Sequence, residues 1–167
     1  MRKIKALKSI AVSLFVIILL WFILDNFLVI LALLFEKDVL HLGHFDGDSP
    51  SAFLKAVILI KTIASGLFIY GSSFLIRVML LKNVMDYFNN KVSLFLFKAG
   101  KFLIISNVIT FFLNFTAFFI NTKYLIYYGG DSKYLSLLMV VFGLFLMIFS
   151  KVLKQGNQIK QENDLTI

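Results

Sequence analysis

The sequence predicts an all-α integral membrane bundle of four transmembrane helices with both termini in the cytoplasm. Three observations predict it. Of the 167 residues 60% are hydrophobic and only 16% charged, and 20 are phenylalanine. Apolar runs of the ~18–20 residues that a helix needs to cross ~30 Å of hydrocarbon recur along the chain. The single proline, Pro50, falls between two such runs, so every run can keep the continuous ladder of backbone hydrogen bonds that lipid demands. A net charge of +8 would point to nucleic acid in a soluble protein. Beside apolar spans it marks segments held near anionic headgroups, and no direct nucleic-acid binding is expected. Cysteine is absent, which excludes disulfide and thiol chemistry.

The chain reads as one membrane domain, 1–167, with spans at about 9–35, 52–81, 102–120 and 134–153. Its opening, MRKIKALKSIAVSLFVIILLWFIL, has the basic head of a signal peptide. The apolar run is too long for that role and no small-residue cleavage site closes it, so an uncleaved first span is expected. The second span follows Asp48-Ser49-Pro50, where Ser49 suits an N-cap and Pro50 the first helical position. The third and fourth runs are close to the minimum spanning length, whereas the first two are longer and must tilt or protrude. Tyr127 and Tyr128, before the Gly129-Gly130 turn, suit a membrane interface.

Basic residues set the orientation. Arg2, Lys3, Lys5 and Lys8 precede span one; Arg77, Lys82, Lys91, Lys98 and Lys101 surround the connector between spans two and three; Lys151, Lys154 and Lys160 follow span four. These are 12 of the 17 basic residues, and the positive-inside rule makes their side the cytoplasm. The cytoplasmic loop, 82–101, has Val84, Phe88, Val92 and Phe95 at helical spacing. That pattern fits an amphipathic helix lying on the inner leaflet or a helical extension of span three.

Some polar residues fall inside the apolar runs. An acid such as Asp25 costs roughly 2.5–3.5 kcal/mol at mid-span, so it faces other helices or a wet cavity. Lys61, on the antiparallel span two, reaches a similar depth. The two form a candidate buried polar pair, assisted by Asn26 or Thr62; alternatively Lys61 snorkels outward and Asp25 is protonated or wet. Span three carries Asn107, Thr110 and Asn114 on one face, with Gly100 and Asn121 in the same seven-residue rhythm. Span four repeats Ser136, Gly143 and Ser150 seven apart. Stripes of this kind let helices approach and hydrogen-bond, which is the commoner use, or they line a path for an ion or solute.

The outer segment HLGHFDGDSP holds both histidines, His41 and His44, followed by Asp46 and Asp48. It supplies metal donors without a stiff frame, so it reads as a solvated acidic cap, with metal or proton sensing the alternative. No nucleophile has an evident base partner and no phosphate-cradling glycine motif occurs, so neither an enzyme nor a cofactor is expected.

The tail, 154–167, ends QGNQIKQENDLTI. Through Lys154, Gln155, Gly156, Gln161, Glu162, Asn163, Asp164, Leu165, Thr166 and Ile167 it resembles the ending of domain-of-unknown-function family 2975, whose members are small bacterial four-helix membrane proteins. DYFNNKVSLFLFKAG is similar to that family's segment between spans two and three, with Phe88, Lys91, Val92 and Gly100 matching and Tyr87 in place of the usual proline. The resemblance implies a bacterial cytoplasmic-membrane protein. Many members are encoded beside a Cro/CI-type helix-turn-helix regulator, which implies a small cytoplasmic regulator as partner, docked on Phe88, Lys91, Glu162, Asp164, Leu165, Thr166 and Ile167. A small-solute or ion transporter or channel subunit is the alternative expectation, and a homo-oligomer fits either. Topology is directly measurable. A reporter fused after Ile167 is expected to report the cytosol, and one inserted at Gly43 the opposite side.

Overall fold

The computed structural model describes residues 2–35, 52–81, 89–120 and 132–165. These form four helices: α1, Arg2–Phe35; α2, Ala52–Met79; α3, Asn90–Ile120; and α4, Ser132–Leu165. Among the described residues there is no strand. All four helices contain a stretch long and apolar enough to cross a membrane, so the chain is a multi-pass membrane protein.

α1 has neither glycine nor proline, and beyond its basic first turns it is apolar around almost its whole circumference. α2 ends where its final turn tightens: Leu80 N–H donates to Ile76, whereas Leu81 N–H donates to Val78 at 3.3 Å. The ammonium of Lys8 donates to the carbonyl of Leu81, so a cation from α1 satisfies an orphan acceptor at the negative end of α2. Asn89 caps α3, its Oδ1 accepting from Lys91 N–H at 3.2 Å. The Ser49-Pro50 start expected for span two lies outside the described residues.

α3 is the hub, packing extensively against both α2 and α4, while α1 makes slighter contact with α2. On the α2 side Val92, Leu96, Ala99 and Leu103 of α3 form one buried cluster with Phe74 of α2 and Leu146 of α4. Their alternating spacing of four and three is the seam of a shallow, left-handed helix crossing. The Phe74 ring lies near-parallel to Phe102 at 6.3 Å and edge-on to Tyr70 at 5.1 Å. Gly71 lets the helices close here, since a Cβ there would meet Phe102 Cβ at 2.9 Å.

The α3–α4 seam joins the two seven-residue stripes. Ser93 Oγ donates to the Ser150 carbonyl at 2.8 Å, and Ser150 Oγ donates to the Ser93 carbonyl at 2.7 Å. One heptad further in, Gly100 meets Gly143: a Cβ on Gly100 would lie 2.5 Å from the Gly143 oxygen, and one on Gly143 2.9 Å from the Gly100 oxygen. The same antiparallel register sets Asn107 level with Ser136, and both are buried. Lipid gives apolar surfaces no reason to leave it, so close backbone approach and cross-helix hydrogen bonds hold this pair.

Two boundaries differ from the reading of apolar runs. Residues 90–101 are the first turns of α3, continuous with the rest, so this stretch extends span three and does not lie flat on a leaflet. Val92 is in the core, Phe95 packs against it, and Val84 and Phe88 lie outside the described residues. α4 likewise continues past 153 to Leu165. Outward from the core the helices are apolar and open: Trp21 is 71% exposed and Val141 65%, a surface that suits lipid.

The seam is testable. Gly100→Val or Gly143→Val is expected to cost about 1–3 kcal/mol by overpacking, read by unfolding in mixed micelles. At Gly156 of α4 a Cβ would have nothing within 4 Å, so Gly156→Ala is expected to raise stability by about 0.5–1 kcal/mol.

Candidate functional site

A cleft of about 260 Å³ opens between α1, α2 and α3. Ile18, Trp21 and Phe22 form its α1 wall; Ala64, Ser65, Phe68 and Ile69 its α2 wall; Ser106, Asn107 and Thr110 its α3 wall. It exists because α1 contacts its neighbours so lightly: Phe22 touches the edge of Gly66, at 3.9 Å from where a Cβ would sit.

The polar wall is satisfied largely within its own helices. Ser106 Oγ donates to Leu103 O at 3.0 Å and Asn107 Nδ2 to the same oxygen at 2.8 Å. Thr110 Oγ1 donates to Ser106 O at 2.9 Å, and Ser65 Oγ to Lys61 O at 2.8 Å. None of the ten lining residues is charged. A wall whose donors are spent and whose oxygens still have lone pairs suits a neutral hydrogen-bond donor or water.

The face expected on span three is therefore divided. Asn107 and Thr110 reach the cleft, whereas Asn114 is buried beyond it, near the level of Val57 and Leu113, which pack together. The structure adds Ser65, Ser106 and Trp21, which the sequence reading does not single out. Ser106 is accessible to sequence reasoning, since it precedes Asn107 and stands four residues before Thr110; Trp21 and Ser65 join it only through the tertiary fold.

For the pair Asp25 and Lys61, the structure gives the backbone level. Lys8 beside Leu81 and Phe22 beside Gly66 fix α1 and α2 as antiparallel, which brings Asp25 and Lys61 to the same depth within about one turn. Lys61 is half-buried, and the Asp25 side chain lies outside the described residues. Asn26 Nδ2 donates one of its two hydrogens to Phe22 O at 2.7 Å.

Of the expected docking residues, Lys91 and Glu162 are exposed and Leu165 is the last residue of α4. Phe88, Thr166, Ile167 and the side chains of Asp164 and Leu165 lie outside the described residues, as do His41 and His44. Among the described residues no cluster of His, Cys, Asp or Glu could hold a metal ion.

No known protein family, curated protein or solved structure matches the chain.

A double-mutant cycle decides the buried pair. Asp25→Asn and Lys61→Met are each expected to destabilise the bundle, and the two together by less than the sum, with a coupling of about 0.5–3 kcal/mol. Strict additivity would show that the two side chains do not interact.

Proposed function

We propose that this chain is a non-enzymatic membrane partner of a small cytoplasmic helix-turn-helix regulator, held at the basic end of the bundle. The observation that carries the reading is the projection of α4. The seam register sets Asn90, where α3 starts, level with Leu153, and α4 continues for twelve more residues to Leu165, about 18 Å further. Apart from Asn157, residues 154–163 of this extension are exposed, Ile159 at 59%. A helix that continues past its neighbour's start, with an exposed aliphatic among polar residues and only Asn157 covered, is a surface that a soluble protein can grip. Of the residues that resemble family 2975, Lys154, Gln155, Gly156 and 161–165 fall on this extension, and Lys91 and Val92 in the first turn of α3. That resemblance supplies the regulator's class, and the positive-inside rule supplies the cytoplasmic side.

In this reading the regulator is sequestered while bound and reaches DNA when released. The test is co-purification with the helix-turn-helix protein encoded beside the gene. Deleting residues 157–167 is expected to abolish association, and Ile159→Asp to weaken it at least about tenfold, the cost of losing one buried aliphatic anchor. No association under any condition, or no such neighbouring gene, overturns the reading.

The uncharged cleft favours a second reading, a small-solute transporter. Flux into proteoliposomes that disappears in Asn107→Leu, a cleft residue, would support it.

A further inference from the structure

A second depression, about 620 Å³, lies at the basic end between the start of α3 and the later part of α4. Lys91 of α3 and Lys151 and Lys154 of α4 stand around it, with Leu94 and Phe97 of α3 on its bilayer side. We propose that this groove binds the phosphodiester headgroup of an anionic phospholipid, with an acyl chain running along Leu94 and Phe97.

Four observations converge. First, three cations share one level: the seam register places Lys91 opposite Val152, between Lys151 and Lys154. Like charges this close repel, and among the described residues none of the three ammonium groups has a hydrogen-bond or ion-pair partner. Second, the level is that of lipid headgroups. The contact of Gly71 with Ala99, Phe102 and Leu103 sets Leu81 level with Lys91, and Leu81 receives Lys8, which lies two residues inside the start of the apolar segment Ala6–Leu24. Third, the wall below the lysines is apolar and open, Leu94 being 51% exposed. A free phosphate has no use for that wall, whereas a lipid tail does. Fourth, the groove is preformed: the paired bonds of Ser93 and Ser150, with their hydroxyl oxygens 3.1 Å apart, tie its two sides together.

The other cations at this end are differently engaged. Arg77 and Lys98 lie 5.3 Å and 5.7 Å from the centroid of the Phe74 ring. The site depends on membrane insertion alone and stands whether or not a regulator docks on α4.

The experiment uses the full chain in nanodiscs of phosphatidylcholine, alone or mixed with phosphatidylglycerol. Native mass spectrometry counts retained lipid, and thermal unfolding reads stabilisation. Phosphatidylglycerol is expected to be retained and to raise the unfolding temperature. The triple variant Lys91→Gln, Lys151→Gln, Lys154→Gln is expected to bind it roughly a hundredfold more weakly, with unchanged helicity. Lys160→Gln, further along α4, is expected to behave as the parent. Equal retention by the triple variant overturns the proposal. So does equal stabilisation by inorganic phosphate in pure phosphatidylcholine, which would make the groove a small-anion site.

Discussion

The bundle depends on one contact, the backbone-to-backbone approach of α3 and α4 at Gly100 and Gly143. In water, apolar side chains would drive helices together; in lipid they are solvated equally well apart. What remains is dispersion at close range and hydrogen bonding, both of which need a small residue at the crossing. The glycines allow the approach, and Ser93 and Ser150, one heptad outward, lock its register by exchanging hydroxyl-to-carbonyl bonds. Once α3 is fixed on α4, its other face presents Val92, Leu96, Ala99 and Leu103 to α2. Gly71 then repeats the device on a smaller scale, letting Phe102 and Leu103 close against the α2 backbone.

α1 has no such device. It contains no glycine, buries none of its apolar window Ala6–Leu24, and among the described residues meets α2 through Lys8 at Leu81 and Phe22 across Gly66. The molecule is therefore graded in cohesion, tight from α2 through α4 and slack at α1. The cleft follows from that gradient, because a helix that does not interlock leaves a gap beside the one it touches. The cleft is walled on one side by α1, so its width is set by the helix that makes the slightest contact with its neighbours.

Four helices, their order and their alternating direction are legible from apolar runs, because length and hydropathy alone settle what can span a bilayer. The small-residue stripes on spans three and four are legible too, since a period of seven is visible without coordinates. Their mutual pairing is not, because register is a property of two helices. Apolar runs start span three at 102, whereas α3 begins at Asn90, and the reason is physical. Lys98 and Lys101 look like the end of a loop to any count of apolar residues. In the fold they are positions on a continuous helix whose opposite face supplies the core. Counting the span from 102 also leaves out Ser93, the outermost member of the span-three stripe. The cleft lies beyond sequence reasoning altogether, since it is bounded by three helices and owes its existence to weak packing.

The depth of those lysines follows from helix direction. Side chains on a helix lean toward its N-terminus. α3 starts at the basic end, so Lys98 and Lys101 lean back toward the interface, and a long aliphatic stem can carry the ammonium out while its methylenes remain among apolar neighbours. The ring of Phe74, 5.7 Å from the Lys98 nitrogen, eases what depth remains, since an aromatic face attracts a cation most where water is scarce. α4 runs the other way, so Lys151 and Lys154 lean toward the bilayer while Lys91 leans away from it. Lys154 starts about half a turn further out than Lys91, so the opposite leans bring these two ammonium groups toward one plane, while Lys151 points deeper beside them. The seam that fixes the register of α3 and α4 therefore also sets where positive charge gathers at this end of the molecule.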